Sequence, residues 1–250
     1  MKNLYEQIEL RFPLVAAVIE GLQDGLVYEN SRRRPTHALV MHKFGFCQEF
    51  QTKSDPSFFS EISELIRDRQ YHKLRMYAPS PARMEFLSSL DFAGRAERLQ
   101  FDYHGLASGP KEKEKMTGGN FPLRRLRAED LQQNDFGLDL NSRYWRNSED
   151  FLANSLAVGG FVDQQWAGLC YAAAIGGGRA EVDIMVAEEY RSQGLGTALA
   201  VAFAELCRER GLAPNWDCYA NNLASIALAR KAGFVEKTKY AFYNISGGLH

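Results

Sequence analysis

Two periods of apolar residues alternate along this chain, one of two and one near four, and they predict strands and helices in turn. In the first half, Ala38–Phe50 reads as a strand, Ser57–Gln70 as an amphipathic helix and Lys73–Ala78 as a second strand. A further helix is expected from the Ser80-Pro81 pair, because proline suits the first helical turn. Ala96–His104 closes the segment as a last strand. Hydrophobic periodicity then stops: His104–Asn120 is glycine, proline and alternating Lys and Glu. We therefore expect an N-terminal α/β domain over residues 1–107, a linker over 108–120 and a second domain over 121–250.

The second half begins with Phe121–Leu131, a strand running into a helix, followed by a short helix over Ser148–Ser155 for which Ser148 and Asp150 supply a cap. Leu156–Val162 and Gln165–Ile175 are apolar runs joined by Asp163-Gln164, which is hairpin punctuation. Gly176–Gly178 makes a turn, and Ala180–Ala187 is a strand. Next comes a helix whose Leu199, Ala202, Phe203 and Leu206 recur at helical spacing, ending at Gly211. Between that strand and that helix lies YRSQGLGT, Tyr190–Thr197. Glycines just ahead of a helical turn let the backbone approach an anion, and the first N–H groups of the helix together with its dipole attract one. Arg191 adds a charge and Thr197 a hydroxyl. Taken alone the run is weak, because glycines also serve turns that bind nothing. It lacks the lysine of a mononucleotide P-loop, and Leu199 stands where a dinucleotide fingerprint needs glycine or alanine.

Composition narrows the field. Thirty basic against 31 acidic side chains leave no basic excess for displacing phosphate counterions, so a nucleic-acid partner is not expected. Ser31–Arg34 reads as a solvated turn. No apolar run approaches the roughly 20 residues that span a bilayer, so no membrane association and a cytoplasmic location are expected. Cys47, Cys170, Cys207 and Cys218 form no CxxC pair, and reduced, buried thiols are the better reading than a disulfide framework or zinc site. His37, His42, His72 and His104 fit no metal spacing, so no metal is expected.

The chain resembles the GNAT superfamily of acyl-CoA-dependent N-acyltransferases, on two ordered motifs. Arg191, Gly194 and Gly196 match the superfamily turn, and Val182–Val186 matches the strand before it. Pro214–Asn222 followed by Ala224–Phe234 matches the later strand and helix that flank the pantetheine arm. Within the superfamily it is most similar to the group that includes a zwittermicin-resistance acetyltransferase, on Trp216-Asp217-Cys218, Ser225 and the stretch Ser148–Phe161. That resemblance covers the chain from Phe121 onward. It implies an α/β (α+β) fold, a mixed and mostly antiparallel sheet flanked by helices, preceded by a smaller N-terminal α/β domain.

The resemblance also implies acetyl-CoA as co-substrate and an amine acceptor. The pyrophosphate would rest on the turn from Arg191 through Gln193, Gly194, Leu195, Gly196 and Thr197, the pantetheine would pair with the backbone of Ile184, Met185 and Val186, and Asn222 and Ser225 would flank the arm. Acyl transfer needs a base. Glu181 and Asp183, two apart and hence on one strand face, are the candidates, with Glu181 first. The chain departs from many relatives at Ala229, where they carry a tyrosine general acid. Tyr219, Tyr240 or Tyr243 could replace it, or the thiolate could leave unaided. Tyr144, Trp145 and Phe151 are either cleft-lining or core. Two functions are thus expected in order: an N-acetyltransferase acting on a primary amine, and a catalytically weak acyl-CoA-binding regulatory module.

Overall fold

A computed structural model describes residues 1–105, 121–132, 143–163 and 165–249. The chain divides into two compact units, one of Met1–Arg98 with Lys239–His250, the other Leu99–Thr238. The expected linker, 108–120, lies outside the described residues. The unit boundaries differ from the sequence expectation in two places, since the second unit starts at Leu99 and the last residues of the chain group with the first.

In the first unit, helices α1 (Lys2–Tyr5) and α2 (Pro13–Ile19) precede strands β1 (Gly25–Glu29), β2 (His37–His42) and β3 (Phe46–Gln51). These strands form an antiparallel meander. Helix α3 (Pro56–Asp68) leads to β4 (Lys73–Tyr77), which runs parallel to β3, and helix α4 (Pro81–Ser88) follows. Strand β5 (Ala93–Tyr103) runs from this unit into the second. The start of α3 is capped by Asp55, whose carboxylate accepts from the Phe58 N–H at 3.1 Å. Phe58, Ile62 and Ile66 of α3 pack on Leu39, Met41, Leu74 and Met76. All six positions of β2 are buried, as expected of a strand covered on both faces. The single strand expected over Ala38–Phe50 is a hairpin, reversed at Gly45 with φ +84°.

The second unit repeats that order of elements. Strand β6 (Leu123–Arg125), a 3₁₀ turn over Ala128–Gln132 and helix α5 (Ser148–Asn154) lead into β7 (Ala157–Val162), β8 (Gln165–Gly176) and β9 (Arg179–Val186), again an antiparallel meander. Helix α6 (Leu195–Glu209) connects β9 to the parallel β10 (Ala213–Tyr219), followed by helix α7 (Leu223–Lys231) and strand β11 (Phe234–Ser246). Strand β11 ends in the first unit, where it pairs antiparallel with β4. The fold is thus the expected mixed, mostly antiparallel α/β arrangement. The cap of α5 is Asn147, which accepts from Asp150 N–H at 2.8 Å, one residue before the expected Ser148.

Helix α6 packs through Leu195, Leu199, Phe203 and Leu206 on Val158, Cys170, Ala172 and Ala180. Its first turn sits close because two strand residues are glycines. A Cβ on Gly160 would lie 2.7 Å from Leu195 Cδ1, and one on Gly168 would lie 2.8 Å from Leu199 Cδ1. Among the described residues no helix is long and apolar enough to cross a membrane.

Candidate active site

Strands β9 and β10 pair in parallel only at Arg179↔Ala213, Ala180↔Pro214 and Glu181↔Asn215. Beyond Glu181, β9 continues to pair with β8 as far as Val186, so its other edge is left facing the parting strand. A β-bulge in β8 between Ala172 and Ala174 falls opposite this parting and bends the sheet there. The carbonyl of Ala172, just before the bulge, is held by Trp145 Nε1 at 3.0 Å and Ser155 Oγ at 3.0 Å. Trp145, Phe151 and Tyr144 are buried, which places them in packing rather than on an open surface.

Side-chain alternation then decides what faces the opening. Val182 and Ile184 of β9 and Trp216 and Cys218 of β10 pack with the helices. Glu181, Asp183 and Met185 therefore share the other face with Asn215, Asp217 and Tyr219. Glu181 is 7% exposed and accepts from Asn215 Nδ2 at 2.6 Å. Asp183 accepts from the buried Tyr171 hydroxyl at 2.7 Å. Burial pushes the Asp183 carboxyl above the usual carboxylate range, against the opposing pull of that hydrogen bond and of the Arg143 charge. Burial and the neighbouring Asp183 charge raise the Tyr171 phenol, which keeps it a donor. Burial raises the thiols of Cys47 and Cys207 to about 12 and that of Cys170 well above its ordinary value, so none of these three is a ready nucleophile.

At the end of β9, a 3₁₀ turn over Glu188–Tyr190 leads to Ser192 at φ +61° and Gly194 at φ +91°, the N-cap of α6. No side chain caps this helix. The N–H groups of Leu195, Gly196 and Thr197 have no acceptor one turn back, and the glycine keeps side-chain atoms out of their way. Arg191 and Gln193 brace the turn: Arg191 Nε donates to Val186 O at 3.1 Å and Gln193 Nε2 to Glu189 O at 2.7 Å. The Leu195 side chain is fully buried, so only its backbone could meet a ligand. Asn222 caps α7 by accepting from Ser225 N–H at 3.1 Å, and Ser225 Oγ accepts from Trp216 Nε1 at 3.1 Å, which ties α7 to β10.

The other tyrosines are placed elsewhere. Tyr240 and Tyr243 are buried in the first unit, where Tyr243 Oη lies 2.9 Å from Ser88 Oγ and Tyr240 packs on Phe12. Tyr219, half-buried at the end of β10, shares the face of Glu181. Asn215, Arg179 and Tyr171 carry the polar contacts of the site and were not singled out from sequence. The signal for Asn215 was its period-two relation to Asp217 and Tyr219. No group of three or more potential metal ligands occurs among the described residues.

A parallel pair that parts at its end, beside an uncapped glycine-led helix start, offers a strand edge and an anion site next to one another. The chain belongs to the GNAT acetyltransferase family, whose family model matches residues 2–243. That match includes the first unit, which the sequence resemblance had not covered. A stretch of 100 residues is 37% identical to the uncharacterized N-acetyltransferase YdfB of Bacillus subtilis (strain 168); it covers 40% of this chain and 38% of that relative. Among solved structures, the fold is similar to a GCN5-related N-acetyltransferase-like protein from Streptococcus suis 89/1591, with TM-score 0.73, 18% identity and coverage of 98% of this chain and 99% of that one. It is also similar to a GCN5-related N-acetyltransferase from Kribbella flavida, with TM-score 0.61, 14% identity and coverage of 94% and 95%.

Proposed function

We propose that the second unit transfers an acetyl group from acetyl-CoA to a primary amine of a small molecule or protein. The observation that carries this reading is the coincidence, at one end of β9, of an open strand edge and an uncapped helix start. The turn from Arg191 to Thr197 would receive the pyrophosphate on backbone N–H groups, with the charge of Arg191 nearby. The edge of Ile184–Val186 would pair with the pantetheine as an added strand. Asn222 and Ser225 shape the flank by fixing α7.

Glu181 takes the proton from the attacking ammonium, directly or through water, and Asp183 on the same face is the alternative base. The amine nitrogen then bonds to the thioester carbon as the C–S bond breaks, the thiolate leaves with the bonding pair, and the nitrogen sheds its second proton, which balances the one delivered to sulfur. Tyr219 is the candidate that returns a proton to sulfur. No metal takes part in this scheme. Four free, buried cysteines support a reducing compartment, hence the cytoplasm.

A catalytically weak acyl-CoA-binding regulatory module is the second reading, favoured by Ala229, which is fully buried where many relatives carry the acid. Turnover separates the two. Acetyl-CoA is incubated with spermidine, glucosamine and a lysine peptide, and free CoA thiol is followed. Release above the blank, lost in Glu181→Gln with acetyl-CoA binding retained, supports transfer; binding without release supports the module.

A further inference from the structure

The buried amide of Asn215 lies at the last position where β9 and β10 still pair, and it is 0% exposed. Nδ2 donates to Glu181 Oε2 at 2.6 Å and Oδ1 accepts from Arg179 Nη2 at 3.0 Å. A guanidinium only donates and an ionised carboxylate only accepts, so the amide can be seated one way round. Arg179 is anchored in turn by Asp102, which also pairs with Lys237 at 3.4 Å. The formal charges along Lys237, Asp102, Arg179 and Glu181 alternate and cancel. Asn215 is the neutral member that separates the guanidinium from the carboxylate.

That separation has a chemical consequence. A guanidinium placed directly on Glu181 would hold its proton affinity low and make it a poor base. An amide in between fixes the orientation of the carboxylate through a neutral donor. We infer that Asn215 is a positioning residue for the reaction, holding the Glu181 carboxylate at the mouth where the two strands part. It acts through Glu181 and so rests on the proposed role of Glu181 as base. Among the described residues, Asp183 of β9 and Asp217 of β10 share this face, the Arg143 charge reaches Asp183, and β8 presents Ala174 opposite Glu181 and Tyr171 opposite Asp183.

The test is a double-mutant cycle on the full chain, following CoA thiol release from acetyl-CoA with whichever of the three amines reacts fastest, or with water where none does. Asn215→Leu is expected to lower kcat by about tenfold or more while KM for acetyl-CoA stays within about twofold. Asn215→Asp, nearly isosteric, sets a second carboxylate beside the first, and the acid limb of the kcat profile should move up by about one pH unit or more. On the residual rate of Glu181→Gln, Asn215→Leu should change kcat by less than about twofold and Asn215→Asp should leave the acid limb unmoved. Equal effects in both backgrounds, or an Asn215→Asp profile that superposes on the parent, would overturn the inference while leaving Glu181 as base. Parental activity in Glu181→Gln, or no release by the parent, would remove the base reading and this one with it. Should Asn215→Leu fail to fold, the Asn215→Asp profile decides alone.

Discussion

The two glycines of the turn make opposite demands, and alanine substitution separates them. Gly194 sits at φ +91° with no atom within 4 Å of a built Cβ. Alanine there has room but adopts a left-handed conformation, at about 1 to 2 kcal/mol. Gly196 lies inside the first turn of α6, and a Cβ there meets Leu228 at 3.4 Å and Val186 at 3.5 Å, ordinary contact distances. Alanine is a better helix residue than glycine by up to about 1 kcal/mol. Gly194→Ala should therefore lower unfolding stability by about 1 to 2 kcal/mol, whereas Gly196→Ala should hold or raise it. If a pyrophosphate rests on these N–H groups, both should weaken acetyl-CoA binding. Gly194→Ala, whose strain is already carried by the free protein, would do so as far as the turn relaxes away from its present geometry, and Gly196→Ala by crowding the approach. Urea unfolding and titration calorimetry measure the two quantities. A stable Gly196→Ala variant with parental affinity would refute the close approach of a ligand to this turn.

Four other outcomes are expected. Burial, with Lys43 adding to it and Asp24 opposing, lowers His42 to about 4 from 6.5, and its Nδ1 accepts from Phe44 N–H at 3.0 Å. The folded state then binds fewer protons than the unfolded one between these values, so stability is full above pH 6.5 and falls toward pH 4; hydrogen exchange of β2 should report about 2 kcal/mol less at pH 5 than at pH 7, and His42→Asn should abolish that difference. Glu49→Gln leaves the fully buried Arg83 without its ion pair and should cost about 3 to 5 kcal/mol in urea unfolding; a loss under about 1 kcal/mol would show the network to be slack. Gly168→Ala places a methyl 3.1 Å from the Met185 carbonyl and against Leu199, and should cost about 1 to 3 kcal/mol by thermal unfolding as the start of α6 is pushed out. Calorimetry should find one acetyl-CoA per chain, and two would show that the capped start of α3 does not exclude a ligand.

Much of the second unit was legible because its signals are local. The strand before Tyr190, the glycine-led helix after it and the Asn222 cap all follow from spacing and cap chemistry. The parting of β9 from β10 was not legible, since strand pairing depends on residues far apart in sequence and leaves no mark on either strand alone. Helix α2 was missed because Pro13–Val18 is buried at every position and so has no polar face to set a period. The hairpin β2–β3 read as one strand because Phe44 and Phe46 continue the apolar run through the turn at Gly45. Strand β1 was missed for the converse reason, its Leu26 and Val27 being exposed together without alternation. The repeated order of elements escaped notice because it is a likeness of pairing and connection, not of motif.

Within that repeat the two units share one topology but differ where an anion would bind. In both, a meander ends in a strand that pairs briefly with a parallel neighbour across one helix, Phe46↔Arg75 and Cys47↔Met76 in the first, Arg179–Glu181 with Ala213–Asn215 in the second. At the helix that crosses over, the units differ. Helix α3 starts with Asp55, whose carboxylate takes the Phe58 N–H, and with Pro56, which has no N–H to offer. A carboxylate at that point repels an anion, whereas Gly194 leaves the equivalent groups of α6 uncapped. Beyond the parting the contrast repeats. Gln48, just past Cys47, accepts from the Tyr5 hydroxyl at 2.9 Å and donates to Leu10 O at 2.8 Å, and Phe12 stacks on Tyr77, just past Met76, at 3.9 Å. The first unit thus closes its own opening with its N-terminal segment. The same topology serves packing in the first unit, and the chemistry proposed above belongs to the unit whose crossover helix starts uncapped.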